Sequence, residues 1–157
     1  DYGFVGDIES VDANILYKQL ENGLVPVVSP LSADEKGTLL NINADTVAAS
    51  IAASVKAEKL ILAMAAPGIL ENKNNADSMI SYVDINGLNK LKKEGKLEDG
   101  MLPKANAIEL ALTSNVPRVH VISYNLADSL LLEIFTNDGT GTLVVNDINI
   151  LSTAEKE

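Results

Sequence analysis

Two short segments of the chain concentrate residue types that can do chemistry. The first is Asn41-Ile42-Asn43-Ala44-Asp45. In an extended segment alternate side chains point the same way, so Asn41, Asn43 and Asp45 would share one side, with Asp45 arriving at a helix N-terminus. Asp45 then reads in either of two ways. It is an ordinary N-cap worth about 0.5–2 kcal/mol, or it is a fixed carboxylate that orients lysines around a transferring phosphoryl group while the Asn amides hold substrate oxygens. The second segment is Asp99-Gly100-Met101-Leu102-Pro103-Lys104, a glycine-bearing loop that leads into a helix with Lys104 in its first turn. A cation there opposes the helix macrodipole, so Lys104 either extends into solvent or is kept for an anion.

Other candidates are weaker singly. Ala66-Pro67-Gly68 and Gly139-Thr140-Gly141 read as turns. Neither is a GxxxxGK[ST] or GxGxxG phosphate loop, and no such loop occurs anywhere in the sequence. His120, the only histidine, sits between Val119 and Val121 and reads as a hydrogen-bonded structural residue or as a ligand.

The elements that must position these residues alternate. Residues 3–8 are β-prone, Asp12 caps a helix carrying Ile15, Leu16 and Leu20 on one face, and Gly23 stops it. Residues 24–28 (Leu-Val-Pro-Val-Val) form an apolar run with the pattern of a buried strand, and the polar stretch from Ser32 to Gly37 reads as a hairpin or loop. A small, apolar helix is predicted over 45–55, a core strand over 59–64, an exposed Asn-rich loop over 71–77, and amphipathic helices over 85–94 and 103–112. A strand over 116–123, a helix over 128–136, a turn at Asn137-Asp138-Gly139-Thr140-Gly141 and a last strand at 143–145 complete the series. This alternation predicts an α/β three-layer sandwich with a mostly parallel central sheet, in one domain spanning residues 1–157.

Bulk composition narrows the function. Hydrophobic residues make up 46% of the 157 but aromatics only 4%, so the core must be aliphatic, as in a buried parallel sheet. With a formal net charge of −10 and Arg118 as the only arginine, there is no basic stripe for a nucleic acid backbone. A nucleotide is still compatible, since backbone amides, one lysine and Mg²⁺ can neutralise phosphate locally. Without cysteine there is neither disulfide nor thiolate zinc site, and one histidine cannot build a histidine cage, so no protein-held metal is expected. No run has the length of a membrane span, so no membrane partner is expected.

Taken in order, Gly3-Phe4-Val5-Gly6, Val27-Val28-Ser29-Pro30, Asn41-Ile42-Asn43-Ala44-Asp45, Pro67-Gly68-Ile69-Leu70, Gly100-Met101-Leu102-Pro103-Lys104 and Phe135-Thr136-Asn137-Asp138-Gly139-Thr140-Gly141-Thr142 closely resemble acetylglutamate kinases of the amino acid kinase family. The resemblance covers nearly the whole chain and implies its amino acid kinase-like C-terminal, ATP-binding lobe, with the N-terminal lobe absent. It implies ATP with Mg²⁺ held mainly through the phosphates, an N-acyl-glutamate acceptor whose side-chain carboxylate becomes an acyl phosphate, a place in arginine biosynthesis, a homo-oligomer at full length and a cytoplasmic location. It implies Lys104 as a transition-state lysine, Asp45 as the organiser of the catalytic lysines, Asn41 on the substrate's α-carboxylate and Asn43 beside the transferring phosphate. ATP would lie across Ala65, Ala66, Pro67, Gly68, Ile69 and Leu70 and near Lys96, Leu97, Glu98 and Met101. Where the family usually carries Thr/Ser-Asp-Val before this loop, the chain has Met64-Ala65-Ala66, without the hydroxyl and the carboxylate. The C-terminal part also resembles arginine-inhibited members, which makes His120, Glu133 and Gly139 candidates for an arginine effector site. The alternative is a non-catalytic arginine-sensing or assembly module derived from such a kinase.

Overall fold

Runs of Val, Ile and Leu form the central sheet, because β-branched side chains pack well on a pleated surface covered on both faces. Its strands are β3 (Leu60–Met64), β4 (Tyr82–Asp84), β5 (Arg118–Ser123) and β6 (Thr142–Val145), ordered β3-β5-β6-β4. β3 runs parallel to β5, pairing Met64 with Ser123, and β4 runs parallel to β6, whereas β5 and β6 are antiparallel. Two parallel pairs thus meet at one antiparallel seam, in keeping with a mostly parallel sheet. A separate hairpin of β1 (Leu31–Ala33) and β2 (Leu39–Asn41) precedes the sheet. The helices are α1 (Ala13–Glu21), α2 (Ala44–Ser54), α3 (Ile85–Lys93), α4 (Met101–Thr113) and α5 (Ser129–Phe135). The computed structural model describes residues 3–72, 74–97, 100–136 and 139–151, so Asn137 and Asp138 of the expected turn lie outside the described residues.

Strand alternation separates the layers. Val119 and Val121 of β5 and Val144 of β6 share a core with Ala49 and Ala52 of α2, Leu88 and Leu91 of α3, and Ala105, Ile108 and Ala111 of α4. Leu143 and Val145 instead pack with Leu151 and Tyr82, and His120 meets Glu133 of α5. Helices therefore lie on both faces. Fully buried alanines at 49, 105 and 111 provide little bulk where α2 and α4 pack side by side, which suits a core almost without aromatics. At the seam, a Cβ on Gly141 would lie 2.0 Å from the Val121 carbonyl oxygen, so only glycine fits where β6 starts beside β5.

Most predicted elements occur within two residues of their expected ends, and three differences have physical causes. Residues 24–28 are not a buried strand: they join no described strand, and Val25 and Val27 are 85% and 96% exposed. Their apolar pattern is that of a buried segment, but among the described residues nothing covers Val25 or Val27. The β-prone opening makes only a single bridge, Val5 to Asn41, with Asn41 N–H donating to the Phe4 carbonyl at 2.8 Å. Tyr82-Val83-Asp84, three residues with no turn residue to mark them, form β4 where no strand was expected. No helix among the described residues is long and apolar enough to cross a membrane.

Candidate functional site

The segment that ends β2 turns directly into α2, and its cap is not the one the sequence favoured. Asn43 is the N-cap: its Oδ1 accepts from Thr46 N–H at 3.0 Å and from Thr46 Oγ1 at 3.3 Å. Asp45 is instead the second residue of the helix, in its first turn, where a carboxylate still complements the helix N-terminus, and its side chain is left available for another partner. That partner is Lys104, whose Nζ donates to Asp45 Oδ1 at 2.6 Å, with side chains 11% and 24% exposed. Lys104 thus does not extend into solvent. The first-turn lysine is compatible with α4 because α2 carries a carboxylate to meet it.

Asn41 and Asn43 are exposed on either side of buried Ile42, as expected for an extended segment. With its oxygen consumed by the cap, Asn43 keeps its amide NH₂ as a donor. The Asn41 main chain holds the opening segment, accepting from Gly6 N–H at 3.0 Å.

A pocket of about 140 Å³ opens beyond the carboxyl end of β3, lined by Met64, Ala66, Gly68, Ile69, Leu70, Lys96, Leu97 and Met101. It gathers most of the residues expected around ATP, from two segments thirty residues apart. Ala65 and Pro67 belong to the same loop but do not line the pocket, and Glu98 lies outside the described residues. Lys96 is engaged with Glu94 at 3.1 Å and Glu71 at 3.8 Å. Met101 and Lys104, three apart on α4, share one helical face, which puts the ion pair and the pocket at the same end of the helix. Met64 is an apolar wall that the sequence singled out only as a departure. Ser123, Asn125 and Thr142, which brace the loop, gave no local signal.

His120 and Glu133 form a second buried constellation. His120 Nδ1 hydrogen-bonds Glu133 Oε1, and Glu133 Oε2 accepts from Thr140 N–H at 3.0 Å and Thr140 Oγ1 at 3.1 Å. His120 Nε2 is buried without a hydrogen-bond partner among the described residues. Gly139, exposed, adjoins this cluster through Thr140. The His120 hydrogen bond, helped by the Thr140 amide and hydroxyl and opposed by burial, holds the Glu133 carboxyl below its ordinary 4.5. A lowered folded-state pKa contributes stability that is present above the unfolded value and is lost as pH falls through the folded one. Glu133→Gln is therefore expected to cost about 2 kcal/mol at neutral pH, with the difference fading below about pH 4. Urea midpoints measured against pH check it, and parallel acid limbs for the two proteins would contradict it.

Comparison with known proteins bears on the family and the fold. Residues 1–123 match the model of the amino acid kinase family. An acetylglutamate kinase of Archaeoglobus fulgidus is 44% identical over 144 residues, 92% of this chain and 50% of the relative. One from Syntrophomonas wolfei is 41% identical over 145 residues, again 92% and 50%. The chain thus spans about half the length of the curated relatives it matches. Among solved structures, N-acetylglutamate synthase from Neisseria gonorrhoeae complexed with coenzyme A and L-arginine superposes with a TM-score of 0.85 at 25% identity, covering 94% of this chain and 34% of that one. Carbamate kinase from Giardia lamblia bound to AMP-PNP gives 0.67 at 18% identity, covering 87% and 45%, a likeness of fold.

Proposed function

The chain belongs to the amino acid kinase family, and from that premise we propose that it is the nucleotide-binding half of an acetylglutamate kinase. The full-length enzyme would move the γ-phosphoryl group of ATP to the side-chain carboxylate of N-acetylglutamate, forming an acyl phosphate for arginine biosynthesis in the cytoplasm. The observation that carries this reading is the Lys104–Asp45 pair at the same end of α4 as the pocket beyond β3.

Phosphoryl transfer asks a protein mainly for positioning and for compensation of charge on the transferring group. Lys104 would supply the charge as the bond to ADP breaks, and Asp45 would keep the ammonium protonated and aimed. The Asn43 amide would donate to a transferring-phosphate oxygen and Asn41 to the acceptor's α-carboxylate. The apolar walls of Met64, Leu97 and Met101 suit the base of the nucleotide, and Mg²⁺ would arrive on the nucleotide's own phosphate oxygens. The remaining half of the enzyme would complete the acceptor site, so this chain would bind nucleotide without turning it over. Calorimetric titration with Mg-ADP tests the reading: a saturable heat with a millimolar or tighter dissociation constant is expected. A folded chain giving no heat would sink it.

A second reading is favoured by the buried His120–Glu133–Thr140 cluster and by the likeness to a synthase crystallised with L-arginine. On it, the chain keeps an arginine-sensing or assembly role. A melting temperature raised by arginine but not by lysine, with no response to nucleotide, would select it.

A further inference from the structure

The loop after β3 carries Ala65-Ala66-Pro67-Gly68, with no polar side chain of its own to hold its shape, yet its main chain is gripped near both ends. At the start, the Ala65 carbonyl accepts from Asn125 Nδ2 at 3.0 Å and from Ser123 Oγ at 3.3 Å. Near the end, Thr142 Oγ1 accepts from Ile69 N–H at 2.8 Å and donates to the Ile80 carbonyl at 2.6 Å. Thr142 is 1% exposed, and a Cβ on Gly68 would come within 2.6 Å of its hydroxyl oxygen. Neither Thr142 nor Asn125 lines the pocket. The Thr142 hydroxyl already makes one bond as acceptor and one as donor.

We propose that Thr142 and Asn125 are positioning residues for nucleotide binding: they fix the main chain of residues 65–70, so that backbone geometry does what the absent loop side chains do not. The proposal rests on the nucleotide reading of this pocket. A loop without internal polar contacts would sample many conformations, and ordering it on binding would weaken affinity; a loop already held avoids that loss. The two grips come from separate elements, the start of β6 and the turn after β5. They are independent of each other and of the Lys104–Asp45 pair.

The test combines Mg-ADP calorimetry with amide exchange at Ile69 in the whole chain. Thr142→Val, which keeps the shape and removes the hydroxyl, is expected to weaken Mg-ADP and to speed Ile69 exchange by about tenfold each. Thr142→Ser, which restores the hydroxyl, is expected to recover both. Asn125→Ala, at an exposed position, is expected to weaken Mg-ADP about threefold with an unchanged melting temperature. Should Thr142→Val fail to fold, Asn125→Ala decides alone. Wild-type affinity in the folded variants overturns the clamp and leaves the nucleotide site standing. A folded wild type that binds no Mg-ADP overturns the site and the role of the clamp together.

Discussion

Lys104→Ala in the full-length kinase is expected to lower kcat about a thousandfold while leaving the apparent affinity for Mg-ATP nearly unchanged. The split follows from where the ammonium sits. It lies beside Asp45, at the end of α4 that also carries Met101 into the pocket, where on the proposed function it would meet charge developing on the phosphoryl group and would not touch the nucleotide base. Steady-state kinetics under saturating acceptor measure it, and a fall confined to KM would remove Lys104 from the chemical step. The same substitution leaves a largely buried carboxylate alone, so about 2 kcal/mol of stability is expected to go with it. The double variant Asp45→Asn, Lys104→Met separates the two effects, since removing both charges restores stability without restoring turnover. Recovery of activity in that double variant would show the pair to be structural.

What the sequence disclosed of this site follows from how local each feature is. The helix over 45–55 and the lysine at the start of α4 were visible because small apolar runs and a Pro in the first turn are local signals. Whether Asp45 capped its helix was not, because Asn43 and Asp45 stand two residues apart and either can cap. The choice was made by α4, which brings Lys104 alongside from fifty-nine residues away. The residues that line the pocket were grouped through the family resemblance rather than through any glycine signature, and the topology joins the loop after β3 to the segment before α4. Thr142 was unreadable for the same reason in stronger form. A hydroxyl at a strand start has no meaning until β6 is laid down next to a loop seventy-three residues earlier.

The segment at 24–28 failed differently: its apolar pattern was read correctly but its burial was not, and that discrepancy carries a prediction. When this chain is mixed with the remaining half of the full-length kinase, turnover is expected to appear where either part alone has none, and Val25→Asp with Val27→Asp is expected to abolish it. Val25, Val27 and Val28 are exposed, as are Ile15 and Leu20 of α1 and Leu31 on the hairpin. Grooves of about 610 and 380 Å³ flank the segment and share Val28 of the segment and Val47 and Ile51 of α2.

Large apolar side chains exposed in such number are the kind that a partner surface covers, and this chain spans about half the length of the relatives it matches. Each valine buried on docking contributes about 1.5 kcal/mol, and a carboxylate forced into the same place costs more than is regained, so the pair should weaken association by at least about a hundredfold. Because neither Val25 nor Val27 lines the pocket beyond β3, Mg-ADP binding by the variant chain should match wild type. Undiminished complementation by the double aspartate variant would place the docking surface elsewhere. Self-association of the chain, lost in the same variant, would instead put a second copy on it. α2 lines both grooves and carries Asp45, so on the proposed function one helix would receive the remaining half of the enzyme and aim Lys104.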